Sequence, residues 1–177
     1  IRNKKKSLQG TVEEMRNFAF AYVEKYAPSK QQLRTYLLKK YLKSSVPNVK
    51  KQDVTSLIDI VLSDLEKSKF INDKFYSESK AKSMIQRGSS INKIRSYLIG
   101  KGINDQFVKD TVNKIHDENS DQDFFSAIKI CKKKRIGPAR TDDNRPLFYK
   151  KDISLLARNG FDFETSKKVM ELEKDDY

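Results

Sequence analysis

Ten basic residues crowd one stretch near the C-terminal end of this chain: Lys129, Lys132, Lys133, Lys134, Arg135, Arg140, Arg145, Lys150, Lys151 and Arg158. Only Asp142, Asp143 and Asp152 oppose them there. A run of this kind neutralises phosphates along a polyanion backbone without reading bases, or it is a solvated face. Phe148 and Tyr149 lie inside the run. They either stack on unpaired bases or fill a core. Catalytic chemistry has far less to work with. His116 is the single imidazole, no glycine-rich loop is placed to cradle a phosphate, and no nucleophile elbow occurs. Asp142-Asp143 is the one paired carboxylate in a loop, too few ligands for a divalent-ion site without a third. Cys131 has no partner for a disulfide, and with one His no zinc ligand set forms. The reading is therefore a binding protein with no cofactor and no metal.

Two further basic positions are related by an internal repeat. Ser29-Lys30-Gln31-Gln32-Leu33-Arg34-Thr35-Tyr36-Leu37 recurs, 61 residues later, as Ser90-Ile91-Asn92-Lys93-Ile94-Arg95-Ser96-Tyr97-Leu98. In each copy the Ser is placed to cap a helix, and Gln32 completes a capping box in the first. Ile91, Ile94 and Leu98 follow at helical spacing, so one face is apolar while Lys93 and Arg95 stay on the other. Arg34 occupies the position of Arg95. Lys101-Gly102-Ile103 and Asn159-Gly160-Phe161 then offer a left-handed glycine followed by an apolar residue, a Schellman ending.

These repeated beginnings and endings predict about nine helices in three three-helix modules, an all-α, elongated tandem array. The expected boundaries are a basic arm over 1–10 and modules over 11–71, 72–119 and 120–177. In the first, Met15, Phe18, Ala19, Tyr22 and Tyr26 form one stripe up to Ala27-Pro28, where the pre-proline residue must leave the helical region. A loop spans 44–51, and Asp53 is expected to cap the third helix. Asp73 is expected to cap the fourth, which ends at Gly88. Asn104 or Asp105 caps the sixth, Asp162 the last, and Pro146 opens the eighth. Phe124, Phe125, Ile128 and Cys131 are expected inside the third module.

Composition agrees. The chain has 177 residues, 37% hydrophobic and 34% charged, with a net charge of +13 and a pI near 9.7. That balance implies attraction to nucleic acid or an acidic protein surface. No apolar run reaches the roughly 18 residues that span a bilayer. Ile1-Arg2-Asn3-Lys4-Lys5-Lys6 is basic without the apolar core of a signal peptide, so a cytoplasmic location with no membrane is expected, and the missing initiator Met reads as trimming.

The order of these signals, from about Met15 to Leu172, resembles the RecX family of bacterial recombination regulators. Ser29, Gln32, Leu33 and Leu37 are similar to its first-module pattern, and Ile71-Asn72-Asp73 with Tyr76 to its hinge into the second module. Gly88, Ile94, Leu98 and Lys101-Gly102-Ile103 match the following helix. The closing Leu-Ala-Arg-x-Gly-Phe stands here as Leu156 to Phe161. Gln32 and Tyr97 depart from a common Glu, Asn72 replaces an acid, and the first module lacks a Lys-Gly turn. The resemblance implies a nine-helix array that binds the RecA recombinase filament on single-stranded DNA and limits its extension, strand exchange and ATP hydrolysis. With no catalytic constellation in the sequence, a non-enzymatic protein is expected, acting as a monomer. Its expected contacts with RecA or DNA are Arg34, Lys93, Arg95, Lys101, Lys132, Lys133, Lys134, Arg135, Arg140, Arg145, Lys150, Lys151 and Arg158. Two other readings stay open. One is a stand-alone helix-turn-helix DNA-binding protein, with Ile91, Asn92 and Lys93 at the start of its recognition helix. The other is a metal-dependent nuclease built on Asp142 and Asp143.

Overall fold

The computed structural model describes residues 8–43, 50–173 and 176, and the fold among them is all-α. Residues 1–7 of the expected basic arm over 1–10, and most of the loop over 44–51, lie outside the described residues. Helix α1 (Val12–Tyr26) begins where Thr11 accepts the Glu14 amide. It ends at Ala27, which turns left-handed (φ 41°) ahead of Pro28. Helix α2 (Lys30–Leu42) opens on a complete capping box between Ser29 and Gln32, as its sequence requires.

Helix α3 (Lys51–Lys67) starts earlier than expected. Lys50 stands at its N-cap without a side-chain bond, and Asp53 lies inside the first turn instead of capping it. There its charge still complements the positive helix end. Helix α4 (Asp73–Gln86) also corrects the expected cap. Asn72 Oδ1 accepts the Phe75 amide at 3.0 Å, leaving the Asp73 carboxylate for a tertiary contact. Helices α5 (Ile91–Gly100) and α6 (Asp105–Glu118) follow, the latter capped by Asn104.

Helix α7 (Gln122–Lys134) leaves Phe125 48% exposed, so only its neighbour Phe124 turns towards the core. A 3-10 turn (Gly137–Ala139) leads into α8 (Asn144–Arg158), which begins two residues before Pro146 and places the proline in its first turn. Helix α9 (Phe163–Met170) is capped by Asp162, whose Oδ1 accepts the Thr165 amide at 2.6 Å.

The chain divides into two compact units. The first comprises residues 1–76 with Lys101–Ile103, the second Ser77–Gly100 with 104–177. In the first, Met15, Leu33, Leu37, Ile58, Leu62 and Leu65 are buried between α1, α2 and α3. Each such side chain stabilises the fold by roughly 1.5–3 kcal/mol. In the second, Ala127, Ile130, Cys131, Leu156, Phe161 and Val169 form the core shared by α7, α8 and α9. Burial pushes the Cys131 thiol up to about 12, which keeps it protonated and inert.

Candidate partner-binding surface

The start of the repeated helix is held in the same way in each unit. In the first, Ser29 Oγ accepts the Gln32 amide at 3.2 Å and donates to the Lys101 carbonyl at 2.8 Å. The Lys30 amide donates to Asp73 Oδ1 at 2.8 Å. In the second, Ser90 Oγ accepts the Lys93 amide at 3.2 Å and donates to the Asn159 carbonyl at 2.7 Å. The Ile91 amide donates to Asp123 Oδ1 at 2.8 Å. A helix N-terminus leaves amides without partners, and here a serine and an acid from elsewhere in the chain satisfy them. Both acids sit partly buried, and desolvation raises their carboxyl groups above the ordinary range despite the amide bonds. Next to each serine lies a left-handed glycine, Gly102 (φ 71°) and Gly160 (φ 89°), as the Schellman endings predict.

With α2 and α5 anchored alike, their outer faces are comparable, and they differ in charge. Arg34 Nε donates to Asp59 Oδ1 at 2.9 Å, and this bond to the carboxylate raises the guanidinium above its ordinary range. Arg16 is paired likewise with Asp64 at 2.6 Å. The 50-residue spacing that relates Asp73 to Asp123 turns Asp59 into Lys109 and Asp64 into Lys114. Arg95 therefore has no acid at the corresponding place; its guanidinium reaches only the Asn92 amide oxygen, at 3.4 Å. Lys93, Arg95 and Lys109 are exposed and make no ion pair among the described residues. Lys109 escaped the sequence reading because its significance appears only when the helices after the two repeats are aligned at 50 residues instead of 61.

The C-terminal basic stretch splits into two sets. Lys132, Lys133, Lys134 and Arg135 at the end of α7 are exposed, as are Lys150, Lys151 and Arg158 on α8. Arg135 closes α7 in a left-handed conformation, φ 52°. Arg140 and Arg145 are instead taken up by the fold. The Arg140 guanidinium donates twice to Asp152, at 2.6 and 2.9 Å, and lies 4.3 Å from the Phe148 ring centre. Asp152 is 1% exposed and also accepts the Gly137 amide at 2.9 Å. Burial alone would raise its carboxyl, but the guanidinium and the amide together hold it below the ordinary range. Arg145 donates to the carbonyls of Met170 and Leu172, at 2.8 and 2.6 Å, tying α8 to the end of α9. Phe148 is half-buried under Arg140, and Tyr149 is exposed.

Lys101 is half-buried and contributes its carbonyl to the Ser29 anchor. Asp142 and Asp143 stand exposed on the turn before α8. Among the described residues no group of three or more His, Cys, Asp or Glu gathers as a metal site, and no helix is long and apolar enough to cross a membrane.

No protein-family model matches the chain. Individual proteins do. It is 31% identical over 164 residues to "Regulatory protein RecX" of Myxococcus xanthus (strain DK1622), covering 89% of this chain and 84% of the relative. It is 25% identical over 155 residues to "Regulatory protein RecX" of Agrobacterium fabrum (strain C58 / ATCC 33970), covering 88% and 80%. A crystal structure of regulatory protein RecX superposes with a TM-score of 0.64 at 15% identity, over 91% of this chain and 74% of that one. That likeness places the all-α arrangement of helices among solved folds. At 31% identity over most of both chains, the match to the Myxococcus protein shows that this chain belongs to the RecX family of regulatory proteins.

Proposed function

We propose that this chain is a non-enzymatic regulator that binds the RecA recombinase filament on single-stranded DNA and limits its extension, strand exchange and ATP hydrolysis. One observation carries the reading: a protein of the RecX family builds the same anchored, arginine-bearing helix twice, at Ser29 and Ser90, an arrangement suited to a partner that itself repeats. We read the chain as three modules over 11–71, 72–119 and 120–177, working as a monomer in the cytoplasm. Linked modules raise the effective concentration of each successive contact, so weak individual contacts suffice. The exposed lysines and arginines of α5, α7 and α8 supply attraction to the phosphate-rich filament.

The helix-turn-helix alternative loses one of its three positions at α5, where Ile91 is buried. A second is engaged, since the exposed Asn92 donates its Nδ2 to the Gly160 carbonyl at 3.2 Å. Lys93 alone stays exposed with its side chain unengaged among the described residues. Base-reading positions need to face outward. The test adds the protein to cognate recombinase already polymerised on single-stranded DNA and follows ATP hydrolysis. A dose-dependent fall without DNA cleavage is expected. Unchanged hydrolysis by active recombinase removes the reading.

A further inference from the structure

The first unit carries an aromatic ladder that the fold does not repeat. Tyr22 and Tyr36 stack with ring centres 4.1 Å apart and planes 15° from parallel, joining α1 to α2. Tyr26, one turn beyond Tyr22, adds a third ring at 4.7 Å, tilted by 46°. It is 54% exposed and ends the ladder in solvent, with Lys25 Nζ 5.2 Å from its ring centre. At the other end Lys40 Nζ lies over the Phe18 ring, 3.7 Å from its centre, and 6.0 Å from that of Tyr36.

Tyr22 and Tyr36 are partly buried against the core of the first unit, which leaves Tyr26 as the open ring. The 61-residue repeat keeps the third tyrosine as Tyr97 but puts Ser83 and Arg87 where Tyr22 and Tyr26 stand, and the second unit forms its helices without them. A half-exposed tyrosine at a helix end, next to a stacked pair and bordered by a lysine, is the combination that single-strand binding surfaces use. Bases stack on aromatic faces, and cations hold the phosphates between them. Tyrosine adds an apolar face with a hydroxyl that tolerates water, so the open end carries little penalty when empty.

We propose that Tyr26, backed by Tyr22 and Tyr36 and flanked by Lys25, is a base-stacking site for single-stranded DNA. The choice of ligand rests on the regulator reading above, but the site itself acts on bare DNA, without recombinase. It binds any unpaired base, because stacking uses the π-face and no sequence-specific hydrogen bond.

The experiment compares the folded wild-type chain and Tyr26→Ala on two oligonucleotides of equal length, oligo(dT) and an abasic strand that keeps the phosphates. The wild type is expected to bind oligo(dT) about tenfold more tightly than the abasic strand. Tyr26→Ala should erase that preference while leaving abasic affinity unchanged, and Tyr26→Phe should restore it. The chain has eight tyrosines and no tryptophan, so quenching of tyrosine emission by oligo(dT) gives a second readout, expected to shrink in the Ala variant. Equal binding of both strands by the wild type overturns the proposal, as does a preference that survives Tyr26→Ala. Inhibition of ATP hydrolysis by the wild type, measured alongside, separates the two readings: retained inhibition with no stacking preference refutes the tyrosine site alone.

Discussion

Ser90 Oγ is bonded both to the amide of Lys93 in its own helix and to the carbonyl of Asn159, 69 residues away in the chain. One hydroxyl thus caps a helix and fixes the turn that ends another. The adjacent Gly160 must stay small, since a Cβ there would stand 2.5 Å from Ser90 Oγ and 3.4 Å from the Lys93 nitrogen. A Cβ at the corresponding Gly102 would stand 2.5 Å from Gln31 Cγ and 2.6 Å from Gln31 Cβ, and since no rotamer moves a Cβ the backbone itself would have to shift.

Both glycines have positive φ, so alanine costs roughly 1–2 kcal/mol at either from backbone strain. Gly160→Ala also displaces a cap, a further loss of about 1 kcal/mol. Urea melts should therefore show both variants losing more than the strain alone, Gly160→Ala through the displaced Ser90 cap and Gly102→Ala through the backbone shift at Gln31. A wild-type midpoint in Gly160→Ala would mean that the hydroxyl relaxes without losing its bonds.

The second prediction concerns acid stability. Asp152 is buried and its folded pKa lies below the ordinary 3.8, because Arg140 and the Gly137 amide outweigh the desolvation that would raise it. A depressed carboxylate stabilises the fold at pH values above its unfolded pKa, and that contribution fades as pH falls through the lower folded value. Asp152→Asn should cost about 2 kcal/mol at pH 7, a figure reduced for the partial exposure of Arg140. Below about pH 4 the wild type should lose stability towards the variant. Urea melts at pH 7 and pH 3 check this. A gap of constant size would show that the Asp152 charge is not its source.

The sequence disclosed what is local. Ser29 with Gln32, Ser90, Gly102, Gly160 and Asp162 act within a few residues of themselves, and the structure finds each in its expected cap or turn. Asn72 and Asp73 exchanged roles because a cap preference cannot tell which of two adjacent acceptors a distant amide, here that of Lys30, will claim. The basic stretch was misleading for a similar reason. Charge counts cannot see that Asp152 and two main-chain carbonyls draw Arg140 and Arg145 into the fold. Arg34 and Arg95 match in sequence, yet their environments are set by α3 and α6, where an aspartate on one has become a lysine on the other.

That difference yields the last prediction. Arg34 already spends its charge on Asp59, whereas Arg95, with Lys93 and Lys109 exposed on the same unit, has no carboxylate to neutralise it. Replacing Arg34 by Glu would set two acids side by side and confuse function with stability, so glutamine is the better probe at both sites. An exposed ion pair contributes only about 0.2–1 kcal/mol, hence Arg34→Gln should fold nearly as well as the wild type. If α5 contributes a phosphate contact, Arg95→Gln should weaken inhibition of recombinase ATP hydrolysis and lower the salt dependence of DNA binding by about one unit of slope. Arg34→Gln should do less in both assays, and the double variant should be impaired more than either single one. Circular dichroism establishes that each variant is folded before it is compared. Equal losses at the two positions would show that the Asp59 pair opens to admit the partner, and full inhibition by the folded double variant would remove both arginines from the contact surface.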